Sequence, residues 1–317
     1  IYKGTIIVTF HQQQCSNGLT IIGEVIPEAR SAAVGFFVRT GSRDETVEES
    51  GVSHFLEHML FKGTKKRDAA QVNKDFDKIG ANYNAFTSEE NTVFYASTLP
   101  EYHQDATEIL ADILRPSLRS ADFEMEKKVI IEEIGMYEDN PGWMVFDHAR
   151  KLFFADHPLG NSVLGTTQSI IDLKRDQMLD YFQRRYIASN ITLVASGNFE
   201  WDKFLKKAEK LTTNWKFGMA RRDHIRQTSG SAEFKLLEKK TTTQQNVVMI
   251  CPGPPAASPL RYAANLFAMI LGDQSGSRLY WSLVDSGLAE SADCSFHEYD
   301  GAGAFYTSFS CDPKQTH

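Results

Sequence analysis

Apolar residues along this chain fall into short blocks whose spacing alternates between strand-like and helix-like. After a polar start (Gln12-Gln13-Gln14), Leu19–Ile26 and Ala32–Arg39 are rich in β-branched and aromatic residues and read as strands. Gly41 to Ser50 is acidic and turn-rich. Gly51–Phe61 has helical spacing, and Asp68–Ile79 opens on an Asp cap and ends at Gly80. Strands are expected at Asn82–Thr87 and Asn91–Ser97, then helices at Glu101–Leu114 and Ala121–Glu138. Pro141 stops the last of these, because proline lacks the amide donor and clashes with the preceding turn. A helix at Trp143–Phe154, a loop at His157-Pro-Leu-Gly160, a strand at Ile191–Ser196 and a helix at Asp202–Leu211 follow.

From Asn214 to Ser231 the chain is basic, polar and without pattern, which reads as a linker. Order then restarts. Phe234–Leu237 and Val247–Cys251 are strand-like, Leu260–Leu271 and Arg278–Val284 helical, and Gly303–Ser310 is again a strand. This divides the chain into residues 1–218 and a shorter second domain, 219–317, which repeats the opening of the first. The second domain stops just after a strand and reads as incomplete at its C-terminus.

Composition adds bounds rather than an answer. At 317 residues two domains are the natural expectation, and 42% hydrophobic with 24% charged residues is ordinary for a globular protein. A net charge of −7 argues against nucleic acid as a partner, since phosphate binding needs a basic stripe. The four cysteines stand singly with no CxxC pair, so they read as reduced, mostly buried thiols, which favours a reducing compartment. No stretch approaches a membrane span. No signal peptide is visible, although the chain begins at Ile1 rather than Met.

The chemistry lies in His54-Phe-Leu-Glu57-His58. Residues four apart on a helix share a face, with about 5–6 Å between Cβ atoms, so both imidazoles can reach one ion. Glu57 projects to the edge of that face. A zinc ion brings the pKa of a water toward about 7, and a neighbouring carboxylate can accept its proton. This is the HxxEH arrangement of inverzincins. With 9 histidines in 317 residues it arises by chance on the order of once in a hundred such chains, and the plain alternative is a surface helix with two titrating histidines. Phe55, Leu56, Met59 and Leu60 crowd the motif, however, and polar groups on a largely apolar helix need a partner.

A catalytic zinc also needs a third protein ligand. On Ala121–Glu138, at about 100° per residue, Phe123, Ile130, Ile134 and Tyr137 form one apolar stripe. Glu126 and Glu133 flank it together, while Glu132 faces the other way. Glu133 is the better ligand. Glu126 is either a second carboxylate that orients a histidine or a solvated acid at the stripe's edge.

Together these segments resemble the M16 (pitrilysin-like) metallopeptidases, in particular the β-subunit type of mitochondrial processing peptidase and its bacterial relatives. The resembling text is Thr40-Gly-Ser-Arg-Asp-Glu45, Gly51 to Thr64, Asn84-Ala-Phe-Thr-Ser88, Val129-Ile-Ile-Glu-Glu133, His157-Pro-Leu-Gly160 and Leu164-Gly165. The resemblance implies an α+β fold of two similar domains, each a mixed or antiparallel sheet flanked by helices. It implies one Zn²⁺ on His54, His58 and Glu133, with Glu57 as general base and Glu126 as an acid that orients a ligating histidine. Asn84, Ala85, Phe86 and Thr87 become the edge strand on which an extended substrate pairs, and Arg278 a substrate contact. The family's Gly-Leu-Ala-Tyr becomes Gly287-Leu-Ala-Glu290 here, so a tyrosine donor is replaced by a carboxylate.

The function implied is zinc-dependent endopeptidase action on peptides or presequence-like segments. The alternative is a non-catalytic scaffold subunit of the same fold. Expected partners are an unfolded polypeptide substrate and a second subunit, in a homodimer or in a heterodimer with an M16 relative. The expected compartment is the bacterial cytoplasm, or the mitochondrial matrix in a eukaryote.

Overall fold

The structure is a computed structural model, and it describes residues 8–222, 232–240 and 242–315. Contacts group the described chain into two units. The first runs to Ile131 and resumes over Val163–Arg221; the second takes Glu132–Ser162 and then the chain after Arg221.

The first unit is built on strands β1 (Thr9–Gln14), β2 (Thr20–Val25), β3 (Ala32–Val38), β4 (Asn82–Thr87), β5 (Thr92–Thr98) and β6 (Ile191–Gly197). They form one sheet in the order β1-β2-β6-β3-β5-β4. β2 and β6 run parallel, and every other pairing is antiparallel. Alternation sets the faces: Ile191, Leu193 and Ala195 of β6 are buried, while Thr192, Val194 and Ser196 between them are only partly covered. Each large aliphatic side chain fully buried in this way contributes roughly 1.5–3 kcal/mol.

Helices α1 (Val52–Leu60), α2 (Ala69–Lys78), α3 (His103–Ile113) and α4 (Ser120–Asp139) follow the early strands, with α5 (Pro141–Phe154), α6 (Thr167–Asp172), α7 (Arg175–Arg185) and α8 (Trp201–Thr212) after them. α3 packs on β3 and β5, and α1 on β4 and β5. α4 runs without a break through the point at which the two units part. The Asp68 carboxylate caps α2 by accepting from the Gln71 amide at 2.7 Å.

The start of α1 is unusual. Gly51 precedes it in the left-handed region at φ 88°, and a Cβ there would lie 2.6 Å from the Leu164 carbonyl oxygen. Glycine has no capping side chain, so Glu45 takes that role, accepting from the Gly51 amide at 2.7 Å and the Ser53 amide at 2.8 Å. Burial pushes the Glu45 carboxyl up to about 7, despite these hydrogen bonds from Ser53 and Gly51 that favour the charged form. Gly51→Ala is expected to cost about 1–3 kcal/mol through backbone strain alone, more with the close contact, as a lowered urea midpoint. An unchanged midpoint would mean that this turn relaxes freely.

In the second unit β7 (Gln245–Pro252), β8 (Ser291–Tyr299) and β9 (Ala302–Cys311) form an antiparallel sheet in the order β7-β9-β8. Helix α9 (Arg261–Gly272) packs on β8, and Tyr280–Val284 forms a π-helical turn. Asn140 caps α5 by accepting from the Gly142 amide at 3.0 Å, and Pro141 takes the first helical position, where no amide is needed. Phe153, Phe154 and Leu159 then pack with Tyr299, Ala302, Ala304 and Tyr306. That cluster explains why contacts place residues 132–162 with the second unit, a grouping absent from the linear division at 218.

Several expectations need correction. Residues 234–237 form no strand, and Phe234 is 89% exposed; without it the opening of the first domain is not repeated as read. β1, β8, α6 and α7 were not legible. The inward stripe of α7 is Met178, Tyr181 and Arg185, and a buried arginine disguises its period. Of the supposed linker, residues 223–231 lie outside the described residues. The part before them is tied down, with Trp215 buried and Lys216 O accepting from the Ala188 amide. Cys251 is exposed and Cys15 half-buried, so only Cys294 and Cys311 fit the buried-thiol reading. No helix among the described residues is long and apolar enough to cross a membrane.

Candidate metal centre

Helix α1 carries its apolar residues inward: Val52, Phe55, Leu56, Met59 and Leu60 are essentially inaccessible. That anchorage sets the remaining face. The His54 and His58 rings lie edge to face with centroids 4.7 Å apart. Phe55 stacks on Phe123 of α4 at 4.7 Å, which lays α4 against α1. Along α4, Phe123, Ile130 and Ile134 are buried, Glu132 is exposed, and Glu133 turns toward the histidines. One ligand atom each from His54, His58 and Glu133 lies within 4.8 Å of the others.

These residues suit a zinc ion. Ligand atoms about 2.0–2.2 Å from a tetrahedral zinc lie about 3.4 Å apart, so a small closure of the observed cluster suffices. Two imidazoles and one carboxylate are a donor set typical of catalytic zinc. Metal binding needs neutral imidazole, and burial, assisted by the neighbouring His58, pushes His54 down to about 3.

Glu126 accepts from His58 Nδ1 at 2.9 Å and pairs with Lys62 Nζ at 2.6 Å. Burial raises its carboxyl, but these two partners outweigh the burial and hold it below its usual range. With Nδ1 engaged, His58 has Nε2 left for an ion. Lys62 was not a sequence candidate; its place four residues after His58 was the available signal.

Glu57 stands between the histidines and accepts from Thr87 Oγ1 at 2.6 Å. Thr87 ends β4, the outermost strand of its sheet, and among the described residues no strand pairs with the far side of β4. Asn84 and Phe86 are exposed there, Ala85 is half-buried, and Asn84 Oδ1 accepts from the Ala85 amide at 2.9 Å. Arg278 is exposed just ahead of the π-helical turn, and Glu290, also exposed, donates its amide to Ser310 O at 2.8 Å. Both belong to the second unit.

Behind α1 lies a buried polar chain that sequence reasoning did not assemble. Tyr181 OH lies 2.6 Å from Thr40 Oγ1 and 2.7 Å from Ser53 Oγ. Arg185 donates to Thr40 Oγ1 at 3.0 Å and to Arg39 O at 2.8 Å, and pairs with Asp44 at 2.8 Å. Burial raises the Tyr181 phenol, so it stays protonated and can serve as donor. The Thr40–Glu45 segment, a recognisable motif without a role in the sequence, supplies this support.

Comparison with known proteins bears on the family and the fold. The profile described as Insulinase (Peptidase family M16) matches residues 20–167, and that described as Peptidase M16 inactive domain matches 172–317. The chain is 35% identical over 294 residues to a Bacillus subtilis protein named Uncharacterized zinc protease YmxG, covering 91% of this chain and 70% of the relative. It is 40% identical over 195 residues to the mitochondrial-processing peptidase subunit beta of Saccharomyces cerevisiae, covering 61% of this chain and 42% of that one. The crystal structure of a protease from Helicobacter pylori superposes with a TM-score of 0.89 at 20% identity, covering 96% of this chain and 76% of that one, which bears on the fold alone. With a zinc protease relative matched at this identity over more than two thirds of its length, the chain belongs to peptidase family M16.

Proposed function

We propose that this chain is a zinc-dependent endopeptidase acting on extended peptides or presequence-like segments. The observation that carries the reading is the convergence of His54, His58 and Glu133 to within 4.8 Å, beside a carboxylate on the same helix. His54, His58 and Glu133 would hold the ion, within a metal-bearing domain at 1–218. Zinc bound there would acidify a water and polarise the scissile carbonyl. Glu57 accepts the proton of the attacking water and returns it to the leaving amine. Glu126 keeps the His58 ring oriented. The outer edge of β4, over Asn84 to Thr87, receives the substrate backbone by strand addition, and Arg278 is a substrate contact from the second domain, at 219–317.

The test is cleavage of a basic, presequence-like peptide alongside metal analysis, with and without chelator. Stoichiometric zinc and chelator-sensitive cleavage are expected. Stoichiometric zinc with no cleavage across a varied peptide panel would favour the scaffold reading instead. The profile named for an inactive domain covers 172–317, which contains none of His54, Glu57, His58 or Glu133, so it does not weigh against catalysis.

A narrower expectation concerns Glu126. Glu126→Ala should weaken zinc binding about 10–100-fold, the usual loss when a carboxylate supporting a ligating histidine is removed. Competition with a chromogenic chelator measures it. Unchanged affinity would mean that Glu126 only neutralises Lys62.

A further inference from the structure

Glu57 has a long side chain with freely rotating bonds, and as a base it must present one oxygen to the reacting water. Its neighbour in space is well fixed. Thr87 is β-branched, with few χ1 choices, and its backbone pairs with Thr92 across the β4–β5 ladder. Thr92 is fully buried and donates its own hydroxyl to Thr40 O at 2.9 Å. A threonine hydroxyl has one proton to give, and that of Thr87 goes to Glu57 Oε2 at 2.6 Å, a length typical of a charge-assisted O–H···O⁻ bond.

We infer that Thr87 is a positioning residue for the reaction, its hydroxyl holding Oε2 of Glu57 so that Oε1 is directed to the proton it must take. This rests on the reading of Glu57 as the base. It adds that the same residue ends the strand proposed to receive the peptide, so the peptide edge and the base share one rigid support. Strand addition uses only the backbone of β4, and the side chain of Thr87 is therefore available for this second task.

The test compares Thr87→Val, which keeps the shape and removes the hydroxyl, with Thr87→Ser, which keeps the hydroxyl, both in the zinc-loaded full chain. T87V is expected to lower kcat about 10–100-fold, the range for losing a hydrogen bond to a charged group, with KM and bound zinc within about twofold of the parent. T87S is expected to recover most of the rate. Thermal melting of the metal-free protein supplies a readout independent of turnover. T87V should lower the midpoint by about 2–4 °C in the parent and leave it unchanged in a Glu57→Ala background.

A T87V enzyme with parental kcat overturns the inference, as does a rise in KM alone, which would make Thr87 a docking residue only. Failure of T87S to recover the rate, or additive melting shifts, overturns it too. Should T87V fold poorly, Thr87→Ala in the same cycle decides the matter by the same criteria. Near-parental turnover by Glu57→Gln would overturn the reading of the base and this inference together; an inactive Glu57→Gln beside a fully active T87V overturns this inference alone.

Discussion

Glu57→Gln is expected to lower peptide turnover by ~10²–10⁴-fold, the usual contribution of a general base, while the protein retains its zinc. Glutamine has nearly the same shape and its carbonyl oxygen can still accept from Thr87 Oγ1, so the hydrogen bond seen at 2.6 Å can persist. It cannot accept a proton at neutral pH. None of His54, His58 and Glu133 is changed, so the substitution separates proton transfer from metal binding. Steady-state kinetics on a peptide and metal analysis of the same preparation check both halves. Near-parental kcat would place the base elsewhere, whereas loss of zinc would mean that Glu57 supports the ion.

Arg185→Leu is expected to cost about 3–5 kcal/mol of folding stability, the range for breaking a buried ion pair from one side. The side chains of Arg185 and Asp44 are 5% and 1% exposed, and removing the guanidinium leaves a carboxylate buried without its cation. It also removes donors to Thr40 Oγ1, Arg39 O and Arg221 O. Asp44→Asn in the same chain should recover part of the loss, because no uncompensated charge then remains. Urea unfolding of the single and double variants measures this. A loss below about 1 kcal/mol for Arg185→Leu would show that water reaches the pair, as at an exposed ion pair.

Both predictions turn on features of unequal legibility. Strands β2, β3, β5 and β6 of the first unit announce themselves because they carry buried apolar residues, whereas β1 buries none, and α1 and α4 because their apolar stripes are long. The same periodicity distinguishes Glu133 from Glu132, since neighbours on a helix point about 100° apart; in the structure Glu132 is exposed and Glu133 lies beside the histidines. What pattern cannot convey is pairing over distance. Arg185 sits 141 residues after Asp44 on a helix whose own period it obscures, and Thr87 reaches Glu57 across 30 positions. Phe234–Leu237 fails in the opposite sense: an apolar segment is no strand when nothing among the described residues pairs with it.

The open edge of β4 has a consequence for fidelity. A strand edge offers the same donors and acceptors every second residue. A guest segment shifted by two positions therefore makes the same ladder and keeps its side chains on the same faces. Backbone capture alone would produce ragged product ends two residues apart. A single cut position demands pockets that distinguish side chains, and exposed Asn84 and Phe86 alternate with half-buried Ala85 along that edge. Mass spectrometry of the ends formed from one long substrate would show how strictly the frame is kept.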